Sequence, residues 1–343
     1  MIDLLVVGGG PAGLATAIHG ARRGFDVVVA EARPAPIDKA CGEGLMPSAV
    51  HALRALDVEV PGPLLRGIRY VDAAGDRSAE ARFRTGPGLG VRRTVLHEAL
   101  AARAARLGVP VVPHRVRRVT QSEAHVTADG ITARYLVAAD GLHSPTRRAL
   151  GLTVRPAAGR RHAPRYGLRR HYAVEPWTDL VEVHWSADCE AYVTPLGPRQ
   201  VGVALLTSRQ LPFDDQLSRF PRLLARLRTA DRTSVRGAGP LRQQARSRVA
   251  GRVLFVGDAA GYVDALTGEG LTLALTAADA LVRCLREGNP QAYEPAWCRL
   301  SRSYRLLTRS LLWVRNQPPL APLIMPTAAR FPGLFQSAVN LLA

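Results

Sequence analysis

Six residues near the start of the chain leave its fold little freedom. Gly8-Gly9-Gly10-Pro11-Ala12-Gly13 follow a run, Ile2 to Val7, that is apolar apart from Asp3. Such a run reads as a parallel strand buried on both faces. Leu14 to Arg23 reads as a helix stopped by Gly24, and Asp26 to Ala30 as a second strand ending at Glu31. Strand, Gly-x-Gly-x-x-Gly, helix and strand within about 30 residues make a βαβ unit, the context in which the glycines become informative. Gly8 permits a tight turn, Gly10 lets the backbone approach a pyrophosphate, and Gly13 allows helix and strand to pack closely. The helix N-terminus offers free N–H groups and the positive end of the helix dipole, and Pro11 and Ala12 beside it are expected cofactor contacts. Glu31, eighteen residues past Gly13, suits the adenosine ribose hydroxyls and would repel a 2′-phosphate. This is a Rossmann-type dinucleotide site, and these residues alone do not separate FAD from NAD.

Composition narrows the class. With 343 residues and 47% hydrophobic content, the chain can bury a large core in about two domains. No apolar run reaches the roughly 20 residues that a membrane span needs, and the first one breaks into glycines before it can serve as a signal peptide. We therefore expect a cytoplasmic protein without a transmembrane segment. The net charge is +18, and Lys39 is the only lysine. The arginines are scattered, with no basic tail and no nucleic-acid motif. They read as a solvated surface, or as a site for an acidic nicotinamide cofactor or an acidic carrier protein. Cys41, Cys189, Cys284 and Cys298 show no CxxC spacing, so neither a metal site nor a disulfide framework is expected.

Two later segments repeat the strand-then-glycine form. Tyr135 to Ala139 runs into Asp140-Gly141 and on to Ser144-Pro-Thr-Arg147, and Arg252 to Val256 runs into Gly257-Asp258-Ala-Ala-Gly261. With the first motif these three ordered signatures resemble the flavoprotein superfamily of p-hydroxybenzoate hydroxylase and geranylgeranyl reductase, over roughly residues 1–290. Lys39-Ala40-Cys41-Gly42-Glu43-Gly44 and Thr267-Gly268-Glu269-Gly270 resemble the geranylgeranyl reductase-like branch. The tryptophan-rich motif of flavin-dependent halogenases is not found.

The resemblance implies FAD as cofactor and an α/β fold: a Rossmann-type, glutathione reductase-2-like FAD-binding domain with an inserted antiparallel β-sheet and a helical C-terminal cover. The FAD domain would take residues 1–75, 90–160 and 245–288, the substrate sheet 76–89 and 161–244, and the cover 289–343. Asp258 would meet a ribityl hydroxyl, and the helix starting near Gly270 and Leu271 would face the flavin N1–C2=O edge. Gly268 would let the backbone come close to the ring. Arg93 would reach the pyrophosphate or ribityl region. Ala32, Arg33, Cys41, Gly42, Val116, Asp140 and Gly141 complete the expected cofactor contacts.

Tyr192-Val193-Thr194-Pro195 resembles the sheet segment of this branch that faces the substrate, so Tyr192, Thr194 and Pro195, with Trp185 on the same alternating sheet, are the substrate-facing side chains that the resemblance implies. Glu43 and Cys41 are the catalytic candidates: a carboxylate that could serve a phenol as base, and a thiol beside the flavin. Glu43→Gln should then lower turnover with FAD content unchanged. His184 is a weaker candidate in an alternating strand. Two reactions fit the family. In one, a monooxygenase uses NAD(P)H and O2: oxygen adds at the flavin C4a, and one atom passes to a small hydrophobic, aromatic or polyketide-like substrate of secondary metabolism. In the other, reduced FAD delivers hydride to an alkene of a prenyl or polyene chain. The sequence tilts toward the monooxygenase through Tyr192 and Trp185.

Overall fold

The structure, a computed structural model, describes residues 1–154, 163–317 and 319–341. Strand Ile2–Val7 sits inside the first sheet, parallel to Val27–Glu31 on one side and Ile131–Ala138 on the other. Val111–Pro113 and Val253–Phe255 extend the parallel order outward. Leu4, Leu5 and Val6 have no exposed surface, as a strand covered on both faces requires. Helix Pro11–Arg22 follows at once, with Pro11 in its first turn, where a missing N–H costs nothing. Gly24 ends the turn beyond it at φ +80°. Helices Arg93–Arg106 and Gly270–Arg286 pack beside it, and one hydrophobic core joins all of these elements.

The second sheet runs Arg236–Ala238, Tyr166–Tyr172, Gln200–Thr207, Cys189–Gly197, Val181–Trp185, Gly67–Asp72 and Ser78–Arg82. Its pairings are antiparallel except one: Val181–Trp185 lies parallel to Gly67–Asp72. That strand falls before residue 76, where the inserted sheet was expected to start. The expected boundary at 160–161 lies outside the described residues. Alternation assigns the sheet's two faces. Ala191, Val193, Val201, Val203 and Leu205 pack under helices Phe213–Leu217 and Pro221–Leu227. Val181, Val183, Trp185 and Leu206 face the other way.

The expected helical cover opens with two helices, Tyr293–Leu300 and Arg302–Arg315. Between them Ser301 is fully buried, and its hydroxyl donates to the Cys298 carbonyl at 3.5 Å, a back-bond that bends helices. Helices Ile324–Arg330 and Pro332–Asn340 then cover the edge of the second sheet. Gln336 Oε1 accepts from the Arg82 amide at 2.9 Å, and Asn340 Oδ1 accepts from the Arg84 amide at 2.8 Å. Two amides at the edge strand Ser78–Arg82 are thereby satisfied. Among the described residues no helix is long and apolar enough to cross a membrane.

Candidate functional site

A cavity with about 1560 Å³ of open space, mouth included, lies between the two sheets. Its wall unites segments far apart in the chain: Gly10, Pro11, Ala12, Arg33, Cys41, Gly42, Glu43, Arg93, Asp140, Gly141, Tyr192, Thr194, Gly257, Asp258, Gly268, Gly270 and Leu271. Of the other residues singled out by sequence, Gly8, Gly13 and Glu31 stand just behind the wall. Ala32, Val116, Trp185 and Pro195 are not part of it. Val116 packs on the main core. Trp185 stacks with Tyr70, ring centroids 5.1 Å apart. Pro195 abuts Gly90, where a Cβ would strike its carbonyl.

The glycine turn needs its glycines for distinct reasons. A Cβ on Gly8 would run into the Ala139 carbonyl, and one on Gly13 into the Gly8 carbonyl, whereas the space over Gly10 is open. The Gly9 amide donates to Glu31 Oε2 at 2.8 Å, and the Arg33 amide to Oε1 at 2.8 Å. The Arg33 guanidinium closes the pair at 2.9 Å. Burial works to raise the Glu31 pKa, but Arg33 and the two amides hold it below its ordinary value. On the carbonyl side, His97 Nε2 donates to Gly9 O at 3.1 Å. Burial, helped by Arg93, pushes the His97 pKa down, so the ring serves as a neutral donor. Sequence reasoning missed His97; its one signal is its place four residues after Arg93 on the same helix.

Arg147 joins the second and third signatures. Its buried guanidinium donates to the carbonyls of Leu142 at 2.9 Å and Ala259 at 2.8 Å, and burial lowers its pKa. Asp140 Oδ2 accepts from the Thr146 amide at 2.9 Å, while its buried Oδ1 has no partner among the described residues. Lys39 reaches Asp258 at 3.3 Å. Helix Gly270–Arg286 begins at the wall, presenting the free N–H groups of its first turn. Open space over Gly10, an unpartnered acceptor at Asp140 and the cations Arg33, Lys39 and Arg93 together fit an anionic dinucleotide such as FAD.

One side of the cavity is apolar: Leu142, Val181, Ala204, Leu206 and Leu241 line it. Two phenols border it. The Tyr192 hydroxyl is spent on the Leu266 carbonyl at 2.8 Å. Burial pushes both Tyr192 and Tyr262 well above the ordinary phenol pKa. Tyr262, just past the third signature, was missed by sequence.

Glu43 is not the solvated loop carboxylate that its neighbourhood of glycines suggests. It is buried at φ +60°. Its Oε1 accepts from the Arg93 amide at 2.9 Å, and its Oε2 lies 2.6 Å from His171 Nε2. Arg169 Nη1 stands 3.1 Å from His171 Nδ1. A guanidinium only donates, so Nδ1 accepts, and the ring proton sits on Nε2 and points at Glu43. Arg169 also pairs with Asp38. The Cys41 sulfur accepts from the Glu43 amide at 3.4 Å, and Thr194 donates to the Gly42 carbonyl at 2.8 Å. His184 lies on the opposite face of the sheet, beside Glu182 and Phe220. Among the described residues no group of three or more His, Cys, Asp or Glu could hold a metal ion.

Residues 1–166 match the family described as FAD binding domain. Over 99% of its length the chain is 30% identical to a menaquinone reductase of Mycolicibacterium smegmatis, covering 91% of that protein. Over 90% of its length it is 25% identical to a digeranylgeranylglycerophospholipid reductase of Methanosphaerula palustris, covering 84% of it. The fold superposes on a geranylgeranyl bacteriochlorophyll reductase-like protein of Thermoplasma acidophilum with a TM-score of 0.80, at 21% identity, over 100% of this chain and 93% of the other. Cradle and relatives together define an FAD-dependent oxidoreductase. The chain belongs to the p-hydroxybenzoate hydroxylase superfamily, in its geranylgeranyl reductase-like branch.

Proposed function

We propose that the protein is an FAD-dependent reductase of a carbon–carbon double bond in a long apolar chain of isoprenoid type, drawing electrons from NAD(P)H that binds transiently. The carrying observation is the apolar wall of Val181, Leu206 and Leu241, which belongs to the same cluster as Leu311 and Met325 of the C-terminal cover. A wall of that kind suits a flexible hydrocarbon. The full-length relatives named for menaquinone and digeranylgeranyl lipid substrates support the same reading.

When bound and reduced, FAD supplies the hydride. The chain's residues orient and shelter. The glycine turn and the start of helix Gly270–Arg286 hold the cofactor, and Thr194 and Glu43 fix the Cys41–Gly44 loop against the second sheet. Cys41 borders the reacting region. Glu43, whose carboxylate turns into His171, we assign to positioning rather than to proton abstraction.

A monooxygenase acting on an aromatic substrate with O2 is the second reading, favoured by the phenols of Tyr192 and Tyr262 at the cavity. One experiment separates the two. Enzyme reduced under anaerobic conditions is mixed with a geranylgeranyl lipid, which carries alkenes but no quinone ring that could take the same two hydrogens, and the product is weighed by mass spectrometry. A gain of two hydrogens without O2 is the expected result. No anaerobic product, with a gain of one oxygen in air, would replace the reductase by the oxygenase.

A further inference from the structure

The outer side of the C-terminal cover has a composition that folding does not explain. Of the twelve large hydrophobic residues exposed among the described ones, seven fall between Leu300 and Leu341. That stretch is about one-eighth of the chain, so the apolar surface is concentrated. Trp313, Leu306, Phe331 and Leu334 are each more than half exposed. Charge is segregated in the same place. After Glu294 the sequence holds six arginines and no Asp or Glu. Arg315 alone of these is buried, committed to Glu190. Arg299, Arg302, Arg309 and Arg330 are exposed, and Arg309 is crowded by the like charges of Arg305 and Arg242.

We infer that this face docks on an anionic lipid surface, its helices lying in the headgroup plane with Trp313, Phe331 and Leu334 entering the acyl boundary and the arginines meeting phosphates. Exposed Trp, Phe and Leu interleaved with arginine on short helices match interfacial helices. A second copy of the chain would bring arginine against arginine. The inner side of the same cover, through Leu311, Leu312 and Met325, packs with the residues that form the apolar wall of the cavity. A lipid leaving the bilayer would therefore meet that wall after crossing one layer of helix. The docking stands apart from the reaction; only its purpose, delivery of an isoprenoid chain, rests on the proposed function.

The test is sedimentation of the full-length, FAD-loaded protein with vesicles of phosphatidylcholine alone or mixed with phosphatidylglycerol, without turnover. Binding should favour the anionic vesicles and fall with added salt. Arg302→Gln, Arg309→Gln and Arg330→Gln together should weaken it about a hundredfold at low salt, at about fivefold for each arginine. Trp313→Ser, Phe331→Ser and Leu334→Ser together should weaken it at least about tenfold. Both variants should keep their FAD content, because the altered side chains are exposed. Absence of binding to anionic vesicles, or binding unchanged by the apolar variant, overturns the inference. So does sedimentation of the free protein as a dimer that the apolar variant dissolves, which would assign the face to a second copy. If vesicles bind while the alkene is not reduced, the docking survives and the proposed function falls.

Discussion

Replacing Glu43 by glutamine puts the buried pair with His171 to a numerical test. Both carboxylate oxygens are engaged: Oε1 by the Arg93 amide at 2.9 Å, Oε2 by His171 Nε2 at 2.6 Å. Glutamine has one acceptor oxygen, so its NH2 group must face one of these two donors. A hydrogen bond to a charged group contributes about 1.5–3 kcal/mol, and a buried donor left unpaired costs about 1–3 kcal/mol. We expect a loss near 3 kcal/mol, more than about a hundredfold in the folded-to-unfolded ratio. Urea unfolding of the FAD-loaded protein measures it. A cycle with His171→Phe should return a coupling of about 2 kcal/mol. Because Cys41 to Gly44 line the cavity, FAD affinity should fall too. The sequence alone pointed to lost turnover with FAD content unchanged, the signature of a catalytic base. Stability within about 0.5 kcal/mol of the parent and zero coupling would refute the positioning role.

Three further outcomes follow from other parts of the fold. Gly13→Ala should purify without visible flavin absorbance and with lower stability, since its methyl meets the Gly8 carbonyl; Gly10→Ala, facing open space, should fold normally and lose only FAD affinity. Glu269, buried at the start of helix Gly270–Arg286, is pushed from 4.5 to about 8 by burial. The unfolded chain releases this proton near pH 4.5 and the folded chain only near pH 8, so the group's stabilising contribution, complete below the lower value, declines across that window. Glu269→Gln should flatten that decline in denaturation midpoints taken from about pH 5 to about pH 8; an unchanged slope would show that the group is not the cause. Arg315→Met removes one cation from the buried cluster of Arg165, Glu190 and Asp264. It should cost about 3–5 kcal/mol in denaturant unfolding, and a loss under about 1 kcal/mol would mean that the cluster adapts.

What the sequence made legible is chemistry that acts through the backbone. Gly13 answers a steric demand five residues away, at the Gly8 carbonyl, and strand, glycines and helix follow one another within about 30 residues, so the turn and the helix after it could be placed without coordinates. The start of helix Gly270–Arg286 was legible for the same reason. What stayed hidden depends on partners distant in the chain. Glu43 and His171 lie 128 residues apart, and the Arg147 guanidinium meets the Ala259 carbonyl 112 residues away. No local pattern marks such pairs. Strand Gly67–Asp72 was misplaced because its alternation is weak and its parallel partner, Val181–Trp185, comes more than a hundred residues later. Trp185 was expected at the substrate as an aromatic residue on the alternating sheet. Alternation fixes the face but not what covers it, and Trp185 packs on Tyr70 instead of entering the cavity. The distinction matters for the site. The cofactor half is built from local turns, whereas the apolar half is made where the second sheet meets the cover. Substitutions at the cover should therefore change which hydrocarbon is accepted before they change whether flavin is held.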